Sequence, residues 1–525
     1  MERMRRTQPQ RGGQDHTTSP REALGLDLAR VFTACGFTPE GLTQHLGTDV
    51  MGCITRGEPA PVEVATAGGR AIDHIVRAAI LHLPTDLGAA LGSDVLNRCI
   101  QAGLVVQTTG SSDGSHLHMF TCDIRPHTID GATHWVYSDP DPSMHIRTLA
   151  DDHVMGLGAA SRLMLDVIPT TPVARVLDLG TGAGTLLLSQ VGHARELWGT
   201  DISQRALDLA ELTLAGAGAH LVKGSWFEPI ENERFDRIIA NPPFVIAPPG
   251  AAKTYRQSTF ELDGATRFVV KSVRDYLTEG GTAHILGAWA LHDGEPWEHH
   301  VGSFVPDNGV CCWAIQRDEV SPAAYTAMFL RDEGIDPRSD EGRSTTHTWL
   351  SYFAENGITR IGLGMIHLSA LSAAQPSEVL AEEILTPLAP KTGPEVAEFF
   401  TRAQWLREQS PESMLEHTYL VRPTVAKEDV SLPDTEAGSG WRKAALRLTR
   451  TDGFSYTHEI DDDFATLIAG LHPQGLALGE VCGLFAMAHG LDEKKLQQQV
   501  IPLVVALVQH GMVLPADLVS PQFFQ

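Results

Sequence analysis

Basic residues are scarce. The 525-residue chain sets 40 lysines and arginines against 65 acids, a net charge of -25. Duplex binding calls for a dense phosphate-facing patch, and the chain as a whole has the wrong sign for it. A basic groove on one face stays open, because net charge does not describe any single face. Cysteines are few, odd in number and scattered: there are seven. Only Cys311 and Cys312 are close, and adjacent cysteines suit neither a zinc knuckle nor an ordinary disulfide. The expectation is a reducing cytoplasm and no metal. No apolar run of about 18 residues is free of charge, which argues against a membrane span. The N-terminus lacks the apolar core of a secretory signal. No Ser-His-Asp or Cys-His arrangement stands out, so nothing points to a covalent nucleophile.

The length and the 42% hydrophobic content suit roughly three or four domains. Residues 1–20 are polar, with Arg3, Arg5, Arg6 and Arg11, and read as a disordered leader. Residues 21–150 read as a helical, winged-helix-like domain. Leu24, Leu28, Val31 and Phe32 have helical spacing, a second helix covers about 71–82, and two short helices lead to a strand near Leu104. "HLHMFTCDIRPHTI" alternates as the second strand of a hairpin. Apart from Arg98 the recognition-helix position lacks basic residues, thin equipment for a major-groove reader.

Near Gly156 the pattern changes, and residues 151–370 alternate strand and helix. The strands are "ARVLDL", Glu196–Gly199 running to Asp201, "AHLVKG", Phe235–Ala240 and "GGTAHILGAWA". A short helix over 186–191, one capped by Ser203, and a long one over 259–277 lie between them. Such alternation calls for a parallel sheet covered on both faces. "GVCCWAIQR" and a strand ending at Leu368 read as an antiparallel end to the sheet. Residues 318–343, with seven acids and three arginines, read as a solvated connection. Residues 371–525 read as a mixed domain with a hairpin around Asp452-Gly453, ending in a second winged-helix-like module. Its Lys494-Lys495 pair reads as solubilising charge.

Gly180, Gly182 and Gly184 follow the first strand directly. Glycine lets a backbone turn tightly and approach a ligand closely, although dinucleotide enzymes use a similar device. Two acids shift the balance. Asp178, just ahead of the turn, would repel a pyrophosphate but suits a cationic amino group. Asp201, at the end of the second strand, offers two acceptors to a ribose diol. The fourth strand then stops at Asn241-Pro242-Pro243-Phe244. Two prolines remove two backbone donors, and Asn241 before them has restricted backbone freedom.

With "VLDLGTGAG", Asp201 and "NPPF" in this order, residues about 156–290 resemble the class I S-adenosylmethionine-dependent methyltransferases. They look most like the branch whose fourth strand ends in Asn-Pro-Pro-Phe or Asn-Pro-Pro-Tyr, which contains ribosomal-RNA, DNA-adenine and release-factor glutamine N-methyltransferases. The resemblance extends to actinobacterial proteins that carry extra modules on both sides of this core. It implies a Rossmann-like α/β fold with a seven-stranded, mostly parallel sheet. It also implies S-adenosylmethionine as cofactor: Gly180, Gly182 and Gly184 along its methionine and ribose, Asp178 near its amino end, Asp201 on the ribose. Ser225 stands where the family usually has an Asp for the adenine amine, with Trp226 or Phe227 available to the ring.

Transfer to nitrogen explains the proline corner. A planar NH2 is a poor nucleophile, because its lone pair is delocalised. The Asn241 carbonyl and the Pro242 backbone carbonyl can both accept from it, orienting it toward the methyl group. Phe244 can stack on a flat substrate. The expected substrate is a macromolecule, with an RNA base slightly favoured over protein glutamine; a non-catalytic binding protein retaining the fold is the alternative. Ser161-Arg162 reads as covering the substrate side, and His292, His299 and His300 as surface residues.

Overall fold

The computed structural model describes residues 18–108, 116–144, 150–250 and 260–519. The expected leader therefore lies outside the described residues, except for its last three. There Ser19 caps a helix starting at Pro20.

Eight strands form the central sheet: β1 (Val173–Leu179), β2 (Ala194–Asp201), β3 (His220–Lys223), β4 (Phe235–Ala240), β5 (Leu277–His292), β6 (Val310–Val320), β7 (Ile358–Ala370) and β8 (Glu378–Glu383). Their spatial order is β8-β6-β7-β5-β4-β1-β2-β3. Central strands buried on both faces are rich in apolar residues, as Val176, Leu177 and Leu179 of β1 and Ile238, Ile239 and Ala240 of β4 show. The last two expected strands pair antiparallel as read, with β7 reversed between β5 and β6. One correction follows: the sheet has eight strands rather than seven, because β8, beyond the expected boundary at 370, adds parallel to β6 at the edge.

The order reverses at β1, which pairs with β2 on one side and β4 on the other. Leu179 sits opposite both Thr200 and Ala240, so three neighbouring strands end level. In an open parallel sheet the ligand crevice lies at such a switch point, beyond the carboxyl ends.

β5 continues past this level. Ile285 pairs with Ala240, and β5 runs on to His292, paired throughout with β7. The excess of seven residues is roughly 20 Å of ribbon at strand rise. Beside it stand two helices: Pro322–Asp332, where a solvated connection was expected, and Asp340–Glu355, a helix that the stretch from Thr346 predicts and that starts more than a turn earlier. Ser321 and Ser339 cap them, accepting from Ala324 N (3.2 Å) and Gly342 N (3.0 Å). Tyr325, Phe329 and Leu330 fall on one helical face, and charges clustered at the helix ends mask that periodicity. Because these helices join β6 to β7, they stand at the carboxyl end of the sheet.

Other elements differ in detail. Residues 187–190 form a 3-10 turn instead of a helix. The long helix shortens to Gly264–Ser272, with a 3-10 turn leading straight into β5, and the start expected at 259 lies outside the described residues. The alternating stretch after residue 115 serves two hairpins: Leu117–Phe120 pairs with Val105–Thr108, and Asp123–Ile129 pairs with Ala132–Ser138.

The first helix, Pro20–Ala34, lies against the helix Gln204–Thr213. A Cβ on Gly25 would meet Ala215 at 2.7 Å, Arg21 pairs with Asp208 (2.9 Å), and Ser19 bonds Glu211. Arg98 is held by Asp27. A single buried cluster runs from Leu24 and Phe32 through Ile75 to Leu209, and on to Phe399 and Phe454.

Beyond β8, the helix Gly393–Arg407 lays Phe399 on Trp313 (centroids 4.1 Å apart). Glu382 of β8 accepts from Trp313 Nε1 (2.8 Å) and Tyr456 Oη (2.9 Å). The terminal strand Val513–Pro515 pairs with Tyr419–Val421, so the last helices are closed by an earlier strand and not by a wing of their own.

Candidate active site

The loops after β1, β2, β3 and β4 meet at the level carboxyl ends. Gly180 N and Thr181 N both donate to Thr200 O (2.9 and 2.8 Å). Gly182 N donates to Asp201 Oδ2 (2.9 Å) and Ser203 N to Asp201 Oδ1 (2.8 Å), while Gly224 N reaches Asp201 O (3.0 Å). The glycines have φ of 76° at Gly180, 53° at Gly182 and 79° at Gly184, where a side chain would be strained. A Cβ at Gly180 or Gly182 meets nothing within 4 Å, so both border open space. Gly184 differs: its Cβ would strike Leu214 Cδ1 at 2.9 Å, which places it at the packing of turn on helix instead of along a ligand.

Asp178 is 1% exposed. Its Oδ2 accepts from Thr181 Oγ1 (2.8 Å), and its Oδ1 has no partner among the described residues. Burial pushes this carboxyl up to about 7. A buried oxygen left unpaired is costly and marks a group awaiting a partner. Burial also raises Asp201, against the backbone N–H groups of Ser203, Gly182 and Ile202 that favour its charge.

Ile202, directly after Asp201, is 60% exposed. Sequence reasoning passed over this large apolar side chain held in solvent beside the crevice, although its place next to a strand-terminal acid is a usable signal. On the loop after β3, half-buried Trp226 has a φ of 50° and packs edge-on against Phe260 and Phe268. Phe227 is buried and stacks on Tyr276 (4.3 Å), a core role that removes it from the ring-binding candidates.

Asn241 follows Ala240 as Gly180 follows Leu179, one step past paired residues on strands about 4.8 Å apart. Asn241 is half-buried, Pro242 buried and Phe244 half-buried. The Asn241 amide makes no hydrogen bond to any described residue, so both its oxygen and its nitrogen are available. Phe244 leans on two apolar clusters, one of them the inserted-helix cluster.

Two expectations fall elsewhere. Arg162 lines a separate cleft of about 380 Å3 with His127, Asp130, Asp166 and Lys391. His300 is not a surface residue: half-buried, it bridges Asp263 (2.6 Å) and Glu295 (2.8 Å). His292 and His299 are exposed, as expected. Among the described residues no three His, Cys, Asp or Glu side chains gather as a metal site, and no helix is long and apolar enough to cross a membrane.

Comparison with known proteins finds three family profiles along the chain. Residues 154–289 match the methyltransferase small domain. Residues 34–114 and 397–515 match two domains of unknown function, DUF7059 and DUF7782. The release factor glutamine methyltransferase of Gloeobacter violaceus is 33% identical over 127 residues, 21% of this chain and 43% of that protein. The ribosomal protein uL3 glutamine methyltransferase of Bradyrhizobium diazoefficiens is 37% identical over 155 residues, 27% of this chain and 48% of that protein. The ribosomal RNA small subunit methyltransferase C of Salmonella arizonae is 30% identical over 135 residues, 25% of this chain and 36% of that protein. The chain thus spans less than half the length of each of these relatives. The glycine turn, the two strand-terminal acids and the proline corner all fall inside residues 154–289, the stretch that matches the methyltransferase small domain and that is similar to ribosomal-RNA and glutamine methyltransferases.

Proposed function

We propose that this chain transfers the methyl group of S-adenosylmethionine to a planar nitrogen of a macromolecule. The observation that carries the reading is the pairing of an unpartnered buried carboxylate oxygen on Asp178 with an uncommitted amide on Asn241, on neighbouring strand ends.

The residues present fit the cofactor. Asp178 Oδ1 would take its ammonium group, a partner that relieves a buried orphan acceptor. Asp201 keeps lone-pair capacity beyond its backbone bonds and would accept from the ribose hydroxyls. Gly180 and Gly182 leave room for close approach. Ile202 and Trp226 would flank the adenine, with Ser225 as a neutral acceptor for its amine. When bound, the cofactor supplies an electrophilic methyl on a sulfonium. Asn241 Oδ1 and the Pro242 carbonyl would accept the two N–H bonds of the substrate NH2. That fixes the direction of the nitrogen lone pair and favours the positive charge growing on nitrogen.

An RNA base and a protein glutamine present this same NH2. Phe244, as a stacking surface, and the winged-helix-like helices ahead of the core support the base. The net charge of -25 and the glutamine methyltransferases among the relatives support the protein amide. The seven cysteines, all free thiols, support a cytoplasmic setting. We further propose that the expected domain boundaries at 150 and 370 separate the catalytic unit from two platforms for a large substrate.

Incubation of cell extract with tritiated S-adenosylmethionine and purified protein, followed by separation of RNA from protein, tests the reading. Label in protease-resistant RNA as a methylated guanine or adenine identifies a base. Label recovered as N5-methylglutamine identifies the amide. Cofactor binding without label in any fraction, at every protein concentration, would leave a binding protein that retains the fold.

A further inference from the structure

The loop that carries Asn241 has little of its own to hold it. β4 ends at Ala240, the next eight residues adopt no regular structure, and two prolines contribute no donor. Between Asn241 and Ala247, among the described residues, one hydrogen bond holds the loop: Ile246 N–H donates to Tyr325 Oη (3.0 Å). Ile246 is fully buried, and a buried backbone N–H without an acceptor costs about 1–3 kcal/mol.

The acceptor comes from an unexpected place. Tyr325 lies on the helix Pro322–Asp332, inserted between β6 and β7 and outside the matched residues 154–289. Its neighbours Phe329, Trp349 and Phe353, from the two inserted helices, close around Ile246 and Ala247 with Ala288 and Ala290 of β5. The loop is therefore anchored, five residues past Asn241, against side chains some 80 to 110 positions downstream.

Resting on the methyltransferase reading above, we propose that Tyr325 is a positioning residue for methyl transfer: its phenol oxygen, accepting the Ile246 N–H, fixes the loop so that the Asn241 and Pro242 carbonyls converge on one substrate NH2. Through this one hydrogen bond Tyr325 then acts on the substrate side and not on the cofactor site, while its aromatic neighbours serve packing. Small errors in the placement of a reacting group are expensive in rate, which is why one hydrogen bond behind the site can matter.

The test uses the full chain. Tyr325→Phe keeps the ring in its cluster and removes the phenol oxygen that accepts the Ile246 N–H. Phe329→Leu trims the same cluster and keeps the hydrogen bond. For each, calorimetry gives S-adenosylmethionine affinity, thermal unfolding gives Tm, and tritium transfer into cell extract gives the maximal rate and the KM for cofactor. The expected result for Tyr325→Phe is a maximal rate down about tenfold, the effect of roughly 1.4 kcal/mol, with cofactor affinity and KM unchanged. Phe329→Leu is expected to lower Tm while retaining most of the rate. A Tyr325→Phe rate equal to wild type overturns the proposal. So does a loss of rate in both variants that tracks Tm, because a merely structural role would produce it. Wild type that transfers no label sinks the methyltransferase reading itself, an outcome distinct from either of these.

Discussion

The two halves of the crevice are held by different means. On the cofactor side, the turns after β1, β2 and β3 are stitched by backbone N–H groups to Thr200 O and to both ends of Asp201. On the proposed substrate side, the seven residues after β4 make one hydrogen bond among the described residues and lean on a ring of aromatic side chains. A backbone-stitched turn needs only glycines and an acid within a short stretch. A loop held by packing takes its shape from whatever is packed against it. One half is thus suited to an invariant ligand, and the other can be re-aimed by changing a distant element.

Breaking the substrate half should give the largest effect. Asn241→Ala is expected to lower methyl transfer by about 100-fold, the scale of removing one preorganised transition-state contact. Cofactor affinity should stay within about twofold if the halves are as separate as the hydrogen bonds indicate. A parallel loss of affinity in calorimetry would show them to be one unit.

Asp178→Asn comes next and acts on the other half. Exchanging a charged partner for a neutral one should weaken S-adenosylmethionine by about thirtyfold at pH 7.5. The wild-type carboxyl titrates near 7, so wild-type affinity should climb several-fold from pH 6 to 7.5 while the variant stays flat. Stability runs the opposite way. A folded-state pKa raised above the unfolded value makes a contribution that is full below about 4 and lost as pH rises through about 7. The cofactor-free protein should therefore lose Tm over that range more than Asp178→Asn does.

Gly184→Ala probes the turn alone. With φ at 79° and Leu214 in the way, it should cost about 1.5 kcal/mol of stability, read as a lower urea midpoint. The smallest effect is a gain. Ser225→Asp supplies the charged acceptor usual in the family and should tighten S-adenosylmethionine by about fivefold. No change would mean that the adenine amine points elsewhere.

This contrast also explains what was legible in the sequence. Asp178, the glycines, Asp201 and Asn241 occupy the ends of consecutive strands, so their order along the chain maps onto their order across the sheet. β4 could be read to its last residue because Phe235, Ile238, Ile239 and Ala240 suit a buried strand and the prolines after Asn241 end it. Tyr325 left no such trace. Its partner lies 79 positions away, and the acids at 332–341 disguised its helix as a connection. The Leu187–Gln190 turn was read as a helix because its leucines suit one, although Val191 already turns extended toward β2. β8 was missed because Glu378, Glu382 and Glu383 leave this edge strand only Val379, Leu380 and Ala381 as a short apolar run, the acids being taken up by Arg407, Tyr456 and Gln316. Gly184 resembles its two neighbours in sequence, and only the nearness of Leu214 separates its role from theirs.

The docking of the first helix on the helix Gln204–Thr213 has a consequence for how the chain is made. Gly25 and Leu26 find their partners at Ala215 and Gly216, nearly two hundred positions later. At about 5–20 residues per second, that half of the contact reaches the ribosome exit roughly 10–40 s after the helix itself. During this interval the helix can settle against Ser93–Gln101, where Asp27 meets Arg98, but its other flank has nothing to cover it. The nascent chain thus carries an exposed apolar flank, open to chaperones and to its own kind, that closes only when the second turn of the crevice has been synthesised.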